Sequence, residues 1–578
     1  MNRTSQIFIK ILGYIVLLLN FISIVLGIVY LTIPIYSIHW DITGWLFIGT
    51  LILNSITAFY LSKNLNKSIK RGNKINFILY GYFGFTILAM GLLLGGNFIL
   101  QSSYSYSIID NLGSYTAVYG TYFGLLIFGM FLGYIIIYYC EWPDLWSKRT
   151  ISDLEPTSMS VKTKRILKLI LKIICIVGFV FFILMNILMF FGTANLIFGW
   201  LGVAAGLFAL FYLFMSLSSM FLLLLVTDRK TKPIQFYSYL IIGLVTSSIF
   251  AAPLITTPSM IENADASFTA AFGEDWRDQI DNETAPYMMK SPFSIPAYFL
   301  GLSHGLNACI VKKDVSFYNG TSGVDKGLRL YFDAYLPPNK GEDLPGGNST
   351  IIRIHGGGWV MGDKGLGNMM AMNKYFASQG YVVFDIQYGL YNGSWQMPLI
   401  TPDYVMGNFS VDDMLRHIGK FTQYLIANHT KYGAKLDSIF VSGGSAGGHL
   451  TCATALAIAN GSYGSIFGSG LSIKGLVPFY PANVLEKHKF LDGSSEFLDP
   501  LLLIDEDSPP CLVFQGEQDG LVNPSVSAEL KTAYTEAGLD NCSIIYMPFA
   551  GHGADIHFSG YYNMIFLYYM ERFLYLFR

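Results

Sequence analysis

A serine, a carboxylate and a histidine in the last quarter of the 578-residue chain stand where they could pass a proton between them. Ser445 lies in Gly443-Gly444-Ser445-Ala446-Gly447-Gly448, behind the apolar run 439–442 and ahead of a helical pattern at 450–459. A G-x-S-x-G between strand and helix turns the backbone sharply, and small neighbours permit the turn, so the hydroxyl rises above a sheet for attack on a carbonyl carbon. Asp519 and His552 each follow an apolar strand-like run, at 511–515 and 543–547. In that chemistry His552 accepts the Ser445 proton, while Asp519 orients the imidazole and stabilises its cation. Glu517 is the rival acid and His557 the rival base. Asp519 is preferred because it lies farther out on its loop, and His552 because its flanking glycines suit an exposed tight loop. His557 reads as a structural residue opening the last helix, and Asp412 and Asp413 as first-turn or capping carboxylates.

A second glycine run, His355-Gly356-Gly357-Gly358-Trp359, follows the strand-like 351–354. Without Cβ atoms, its N–H groups can approach a substrate closely. Gly357 and Gly358, with the Ala446 N–H, would form an oxyanion hole, in which one donor is typically worth about 10²–10³ in rate. The plainer reading is a tight glycine turn without a ligand.

The order Ser445, Asp519, His552 and these two glycine motifs resemble the α/β-hydrolase superfamily, and within it the hormone-sensitive-lipase-like and feruloyl-esterase-like carboxylesterases. The resemblance spans roughly residues 306–578. It departs from the family at Asp385-Ile386-Gln387-Tyr388, where Gln387 replaces the usual arginine of a D-Y-R segment. It implies a serine carboxylic-ester hydrolase acting through an acyl-enzyme, without cofactor or metal, on an ester-containing small molecule or lipid.

The elements needed to position these residues are legible as alternating strand and helix, the pattern of a mostly parallel central sheet. Strands are expected at 308–317, 328–336, 350–354, 381–386, 438–442, 474–478, 511–515 and 543–547. Helices are expected at 366–378, 411–430, 446–459, 524–537 and 558–576, the last as domain core resting on the membrane surface. A small lid would fall at 481–509, with 257–305 a connector or partial lid.

The first 256 residues are of another kind. The chain is 52% hydrophobic and only 13% charged, against about 25% charged in a soluble protein. Uncharged runs predict an α-helical bundle of about seven transmembrane spans, at 9–32, 43–62, 76–99, 117–139, 168–191, 198–226 and 234–256, with a reversal at 192–195. Lys and Arg cluster after spans two and four and before span seven, and are absent from the intervening loops. By the preference of cations for the cytoplasmic side, the N-terminus is cytoplasmic and residues after 256 are extracellular or lumenal. N-x-[ST] sequons at Asn282, Asn319, Asn348, Asn392, Asn408, Asn428, Asn460 and Asn541 agree, whereas those at Asn2 and Asn66 should stay unmodified. The net charge of -2 hides a basic first half and an acidic second half, and neither has the basic face of a nucleic-acid binder. The spans lack deep ionisable residues, which disfavours a proton-coupled transporter. Two other readings stand beside the anchored esterase: an acyltransferase or lipid-processing protein using the same triad, and a non-catalytic hydrolase-fold module. Protein partners are not indicated, and Cys309, Cys452, Cys511 and Cys542 could pair or remain buried thiols.

Overall fold

The computed structural model describes residues 3–33, 39–65, 72–105, 107–141, 161–192, 196–302, 309–341, 343–367, 369–393, 400–488 and 491–578. The basic loops after residues 65 and 141, the reversal at 193–195 and the sequons at Asn2 and Asn66 lie outside the described residues.

The N-terminal half is helical because its runs hold apolar side chains on every face and no proline in their interiors. It comprises α1 (Arg3–Thr32), α2 (His39–Leu65), α3 (Gly72–Gln101), α4 (Leu112–Tyr115) passing through a π-turn into α5 (Thr121–Glu141), α6 (Val161–Phe191), α7 (Leu196–Leu207), α8 (Ala209–Val226) and α9 (Pro233–Phe250). Seven of the described helices are long and apolar enough to cross a bilayer. Outward faces carry bare Ile, Leu and Phe, such as Leu169, Ile241 and Phe131. Inside, Asn20 and Asn54 exchange reciprocal amide hydrogen bonds of 2.8 and 2.9 Å between α1 and α2. Gly129 of α5 leaves room for them, since a Cβ there would overlap both amides. The expected sixth span differs from the observed one: the run 198–226 bends at Phe208 (φ −105°, ψ 17°) into α7 and α8. An uninterrupted apolar run carries no punctuation to mark such a bend.

The second half forms an eight-stranded sheet: β1 (Ile310–Asn319), β2 (Arg329–Leu336), β3 (Thr350–Ile354), β4 (Val382–Ile386), β5 (Ile439–Gly444), β6 (Ile473–Phe479), β7 (Cys511–Gly516) and β8 (Cys542–Met547). Their spatial order is β1-β2-β4-β3-β5-β6-β7-β8. β1 and β2 are antiparallel and the rest parallel. Buried central strands such as β3 and β4 are mostly apolar, broken only by Thr350, Arg353 and Asp385, because helices cover both faces. These helices include α12 (Met369–Ser378), α13 (Val411–Tyr432), α14 (Ala446–Asn460), α15 (Ser525–Glu536) and α16 (Tyr561–Phe577), numbered after α10 (Thr257–Phe272) and α11 (Ile295–Leu300). At the start of α13, Asp413 makes a reciprocal capping box with Ser410 and Asp412 lies in the first turn, within the capping or first-turn roles expected of these two carboxylates.

One face of the sheet and the bundle share a single apolar core, in which Phe440, Phe479 and Phe514 join Phe211, Tyr298 and Phe250. α16 lies inside that core. Its Phe566 packs on Phe479 and Phe514, with ring centroids 4.8 and 5.1 Å away, and its Tyr561 hydroxyl donates to the Gly206 carbonyl of α7. The last helix is thus enclosed rather than resting on a surface, because α10 covers it through Phe268 and Phe272. Cys452, Cys511 and Cys542 are buried free thiols, and Cys309 is half-buried.

Candidate active site

Ser445 sits between β5 and α14 with φ 58° and ψ −121°, a region that L-residues adopt only when surroundings enforce it. The enforcement is visible in its neighbours. A Cβ at Gly443 or Gly447 would overlap the Ile354 carbonyl oxygen of β3. The strand-to-helix turn is therefore pressed against β3 so tightly that only glycine fits on either side of the serine. Ser445 N–H donates to the Phe479 carbonyl at 2.9 Å, fixing the turn to β6.

The loops after β7 and β8 deliver the other two groups. His552 Nε2 lies 2.9 Å from Ser445 Oγ, and Nδ1 lies 2.8 Å from Asp519 Oδ2. A neutral ring protonated on Nδ1 donates to the carboxylate and leaves Nε2 to accept the serine proton. Asp519 Oδ1 is held by the Leu521 and Val522 N–H groups at 2.9 and 2.8 Å. The two loops are joined by Gln518 N–H donating to the Ala550 carbonyl, 2.9 Å. His552 is only 5% exposed, not on an open loop as its glycines suggested, because Tyr480 covers it with ring centroids 4.4 Å apart.

The rivals are elsewhere. Glu517 faces a surface groove with Ser267 and Tyr546, its carboxyl raised by partial burial. His557 precedes α16 rather than opening it, and its Nε2 is 3.3 Å from the Tyr298 carbonyl. Burial pushes its imidazole down to about 4, so it is a neutral core group.

Gly356, Gly357 and Gly358 line the same cavity as Ser445 and His552. Gly357 and Gly358 have φ 122° and 61°, conformations that glycine adopts without strain. Ala446 is the first residue of α14, where a backbone N–H has no partner within the helix. His355 is buried under Tyr388, 4.5 Å between rings, and burial lowers its imidazole while the Gly356 carbonyl opposes.

Several lining residues lie outside the motifs that mark the site in the sequence. Arg353, buried on β3, donates to Ser442 Oγ at 2.6 Å and is lowered by burial. Tyr480 donates to Asp555 at 2.6 Å, and Asp555 is raised by burial. The lone cation within the apolar 351–354 run was the available clue to Arg353. Trp200 and Val203 of α7 also line the cavity, and nothing in an apolar span distinguishes them. Among the described residues, none from 257–305 lines it; α10 instead packs along β8 and α16.

Solved structures similar to this chain include the Est2 esterase of Thermogutta terrifontis with propionate bound, 23% identical with a TM-score of 0.33, covering 43% of this chain and 86% of that one. Esterase B from Lactobacillus rhamnosis is 19% identical with a TM-score of 0.34, covering 43% and 79%. Among curated proteins, the chain is 23% identical over 369 residues to the probable carboxylic ester hydrolase LipM of Mycobacterium tuberculosis, covering 58% of this chain and 77% of LipM. It is 23% identical over 315 residues to the esterase LipQ of the same organism, covering 50% and 69%. The BD-FAE family model matches residues 332–487, a span that includes both glycine motifs and Ser445. With the mostly parallel sheet order, the C-terminal domain thus has the α/β-hydrolase fold, matched over residues 332–487 by the BD-FAE family model, behind seven apolar helices among the described residues.

Proposed function

We propose that the protein is a membrane-anchored serine esterase that cleaves carboxylic esters on the extracytoplasmic side. The observation that carries this reading is the unbroken relay Ser445–His552–Asp519, with both hydrogen bonds under 3 Å. As Ser445 Oγ bonds to the acyl carbon, its proton passes to His552 Nε2. The carbonyl oxygen gains negative charge beside the N–H groups of Gly357, Gly358 and Ala446. The bond to the leaving alcohol then breaks as His552 returns the proton to that oxygen, and water repeats the sequence to release the acid.

The purified protein is expected to hydrolyse a butyrate ester of nitrophenol, and Ser445→Ala to lower kcat by about six orders of magnitude at unchanged expression. Equal rates from the two proteins would reject the assignment.

Sidedness rests on the cation-rich loops and an odd number of spans. Of the eight sequons, Asn282, Asn319, Asn392, Asn408 and Asn460 are exposed. In a glycosylating host, glycosidase treatment should lower the mass of the outer domain, with carbohydrate mapping to these five asparagines. A hydrolase domain protected from protease in right-side-out vesicles would reverse the orientation.

A further inference from the structure

Part of the wall around Ser445 comes from the bundle rather than from the sheet domain. Trp200 and Val203 of α7 line the cavity with Met361, Leu366, Leu521 and Ile556. Its volume is about 830 Å³, toward the upper end of the roughly 300–1,000 Å³ of small-molecule sites. Apart from Ser445, His552, Arg353, Asp555 and Tyr480, the side chains facing it are almost all apolar.

The position of α7 gives this wall its meaning. The 18 residues of α8 span about 27 Å, close to the roughly 30 Å of a hydrocarbon slab. α7 continues from its outer end, past Phe208, whose carbonyl still accepts from Phe211 and Tyr212. It therefore lies at the level where the slab ends and the sheet domain begins. Its glycine-rich side is pressed on the catalytic loops: a Cβ at Gly206 would overlap the Phe549 carbonyl, and one at Gly192, just before α7, would lie 2.7 Å from the Gln518 carbonyl. Its other side is bare and apolar. Trp200 is 41% exposed and Leu201 37%, beside α6, whose final Phe191 is 82% exposed. Trp200 thus belongs at once to the cavity and to an exposed apolar rim at the depth where aromatic side chains meet the membrane boundary.

We propose that the cavity receives the acyl chain of an amphiphilic ester drawn sideways from the adjoining bilayer leaflet, with α7 forming the threshold between lipid and Ser445. This rests on the ester-hydrolase reading and names its substrate class: a long-chain acyl ester resident in a membrane. A chain that passes from lipid along Trp200 and Val203 into the cavity stays out of water throughout, so entry forfeits no hydrophobic burial. The bundle is then a working part of the site as well as its anchor.

The full-length protein in phosphatidylcholine vesicles provides two readouts. In the first, hydrolysis of vesicle-borne monooleoylglycerol is compared with that of water-soluble nitrophenyl butyrate, for wild type and Val203→Trp. The bulkier side chain should lower the ratio of vesicle-borne to soluble rate about tenfold, the loss expected when roughly two methylenes are shut out. In the second, the Ser445→Ala protein is illuminated in vesicles holding an acylglycerol with a diazirine on its acyl chain. Adducts are expected on Met361 and Leu485, cavity residues that belong to the sheet domain. Adducts confined to the bundle helices, or an unchanged rate ratio, would overturn the proposal even while nitrophenyl butyrate is cleaved. Cavity adducts without cleavage of either ester by wild type would remove the hydrolase reading and leave the acyl site standing.

Discussion

The cavity wall includes the buried Arg353, and Asp385 lies opposite it on the neighbouring strand, which ties local titration to stability. Asp385 on β4 accepts from Gly365 N–H at 2.8 Å and from the Asn373 amide at 3.0 Å, both through Oδ2, while its Oδ1 has no partner among the described residues. Burial, with Asp333 beside it, pushes this carboxyl up to about 7, against about 3.9 in an unfolded chain. Between those values the folded state holds a proton that the unfolded state has released. Stability from this group is therefore fully present below about pH 4 and is lost as pH rises through about 7. Asp385→Asn keeps a neutral group of the same shape, and its amide can occupy the place of the bound proton. The melting temperature of the variant relative to wild type should rise between pH 5 and pH 8, as followed by thermal unfolding in detergent. A difference that stays flat, or falls, over that range would show that the folded carboxyl is already charged at pH 5.

At the scale of elements, the catalytic geometry depends on how closely α7 approaches the loop after β8. Gly206 lies so near the Phe549 carbonyl that any side chain forces backbone to move, and Phe549 stands three residues before His552 on a loop already strained at φ 63°. Gly206→Ala should lower kcat on a soluble ester by up to about a hundredfold, the effect of misplacing a reacting group by about 1 Å. Gly202→Ala on the same helix meets nothing within 4 Å and should leave the rate near wild type. Comparable rates for the two variants would show that the loop does not rest on α7. This dependence also marks the limit of sequence reading. The strand 350–354 and the first-turn carboxylates of α13 were legible because period, glycine punctuation and cap chemistry are local signals. The Ser445 turn was legible because its glycines are required by contact with β3. Trp200 and Val203 were not legible, since an apolar residue facing a substrate cavity and one facing lipid obey the same composition rule. Tyr480 was missed likewise, because its place over His552 follows from the left-handed backbone at φ 37° after β6, which no turn-forming residue type announced.

At the scale of the whole molecule, bundle and sheet domain share one apolar core despite their opposite compositions. Polar anchors cross the junction where the helices end: Asn97 donates to the Phe299 carbonyl at 2.8 Å, and Gln101 both donates to Ile556 and accepts from Phe558 N–H, at 2.6 and 2.8 Å. Tyr104 donates to Asp333 at 2.6 Å, and Lys374 of α12 donates to the Ser103 carbonyl at 2.7 Å. Behind them the apolar core runs from Phe211 and Tyr212 through Tyr298, Tyr561 and Phe566 into the sheet. Cutting the chain before β1 would expose one whole side of α16 and strip Trp200 and Val203 from the cavity. Each large apolar side chain uncovered in this way costs about 1.5–3 kcal/mol, and a domain's net stability is only about 5–15 kcal/mol. Loss of a handful of such contacts is enough to unfold it. A fragment of residues 310–578 is accordingly expected to aggregate or bind hydrophobic dyes, and to show no cleavage of nitrophenyl butyrate, whereas the full chain in detergent cleaves it. A soluble, monomeric fragment with wild-type kcat would show that the sheet domain folds independently and that the shared core contributes little. The opposite outcome would explain why an enzyme with its own sheet and triad is carried on seven helices: the helices complete its core, hold its histidine loop and form the near wall of its cavity.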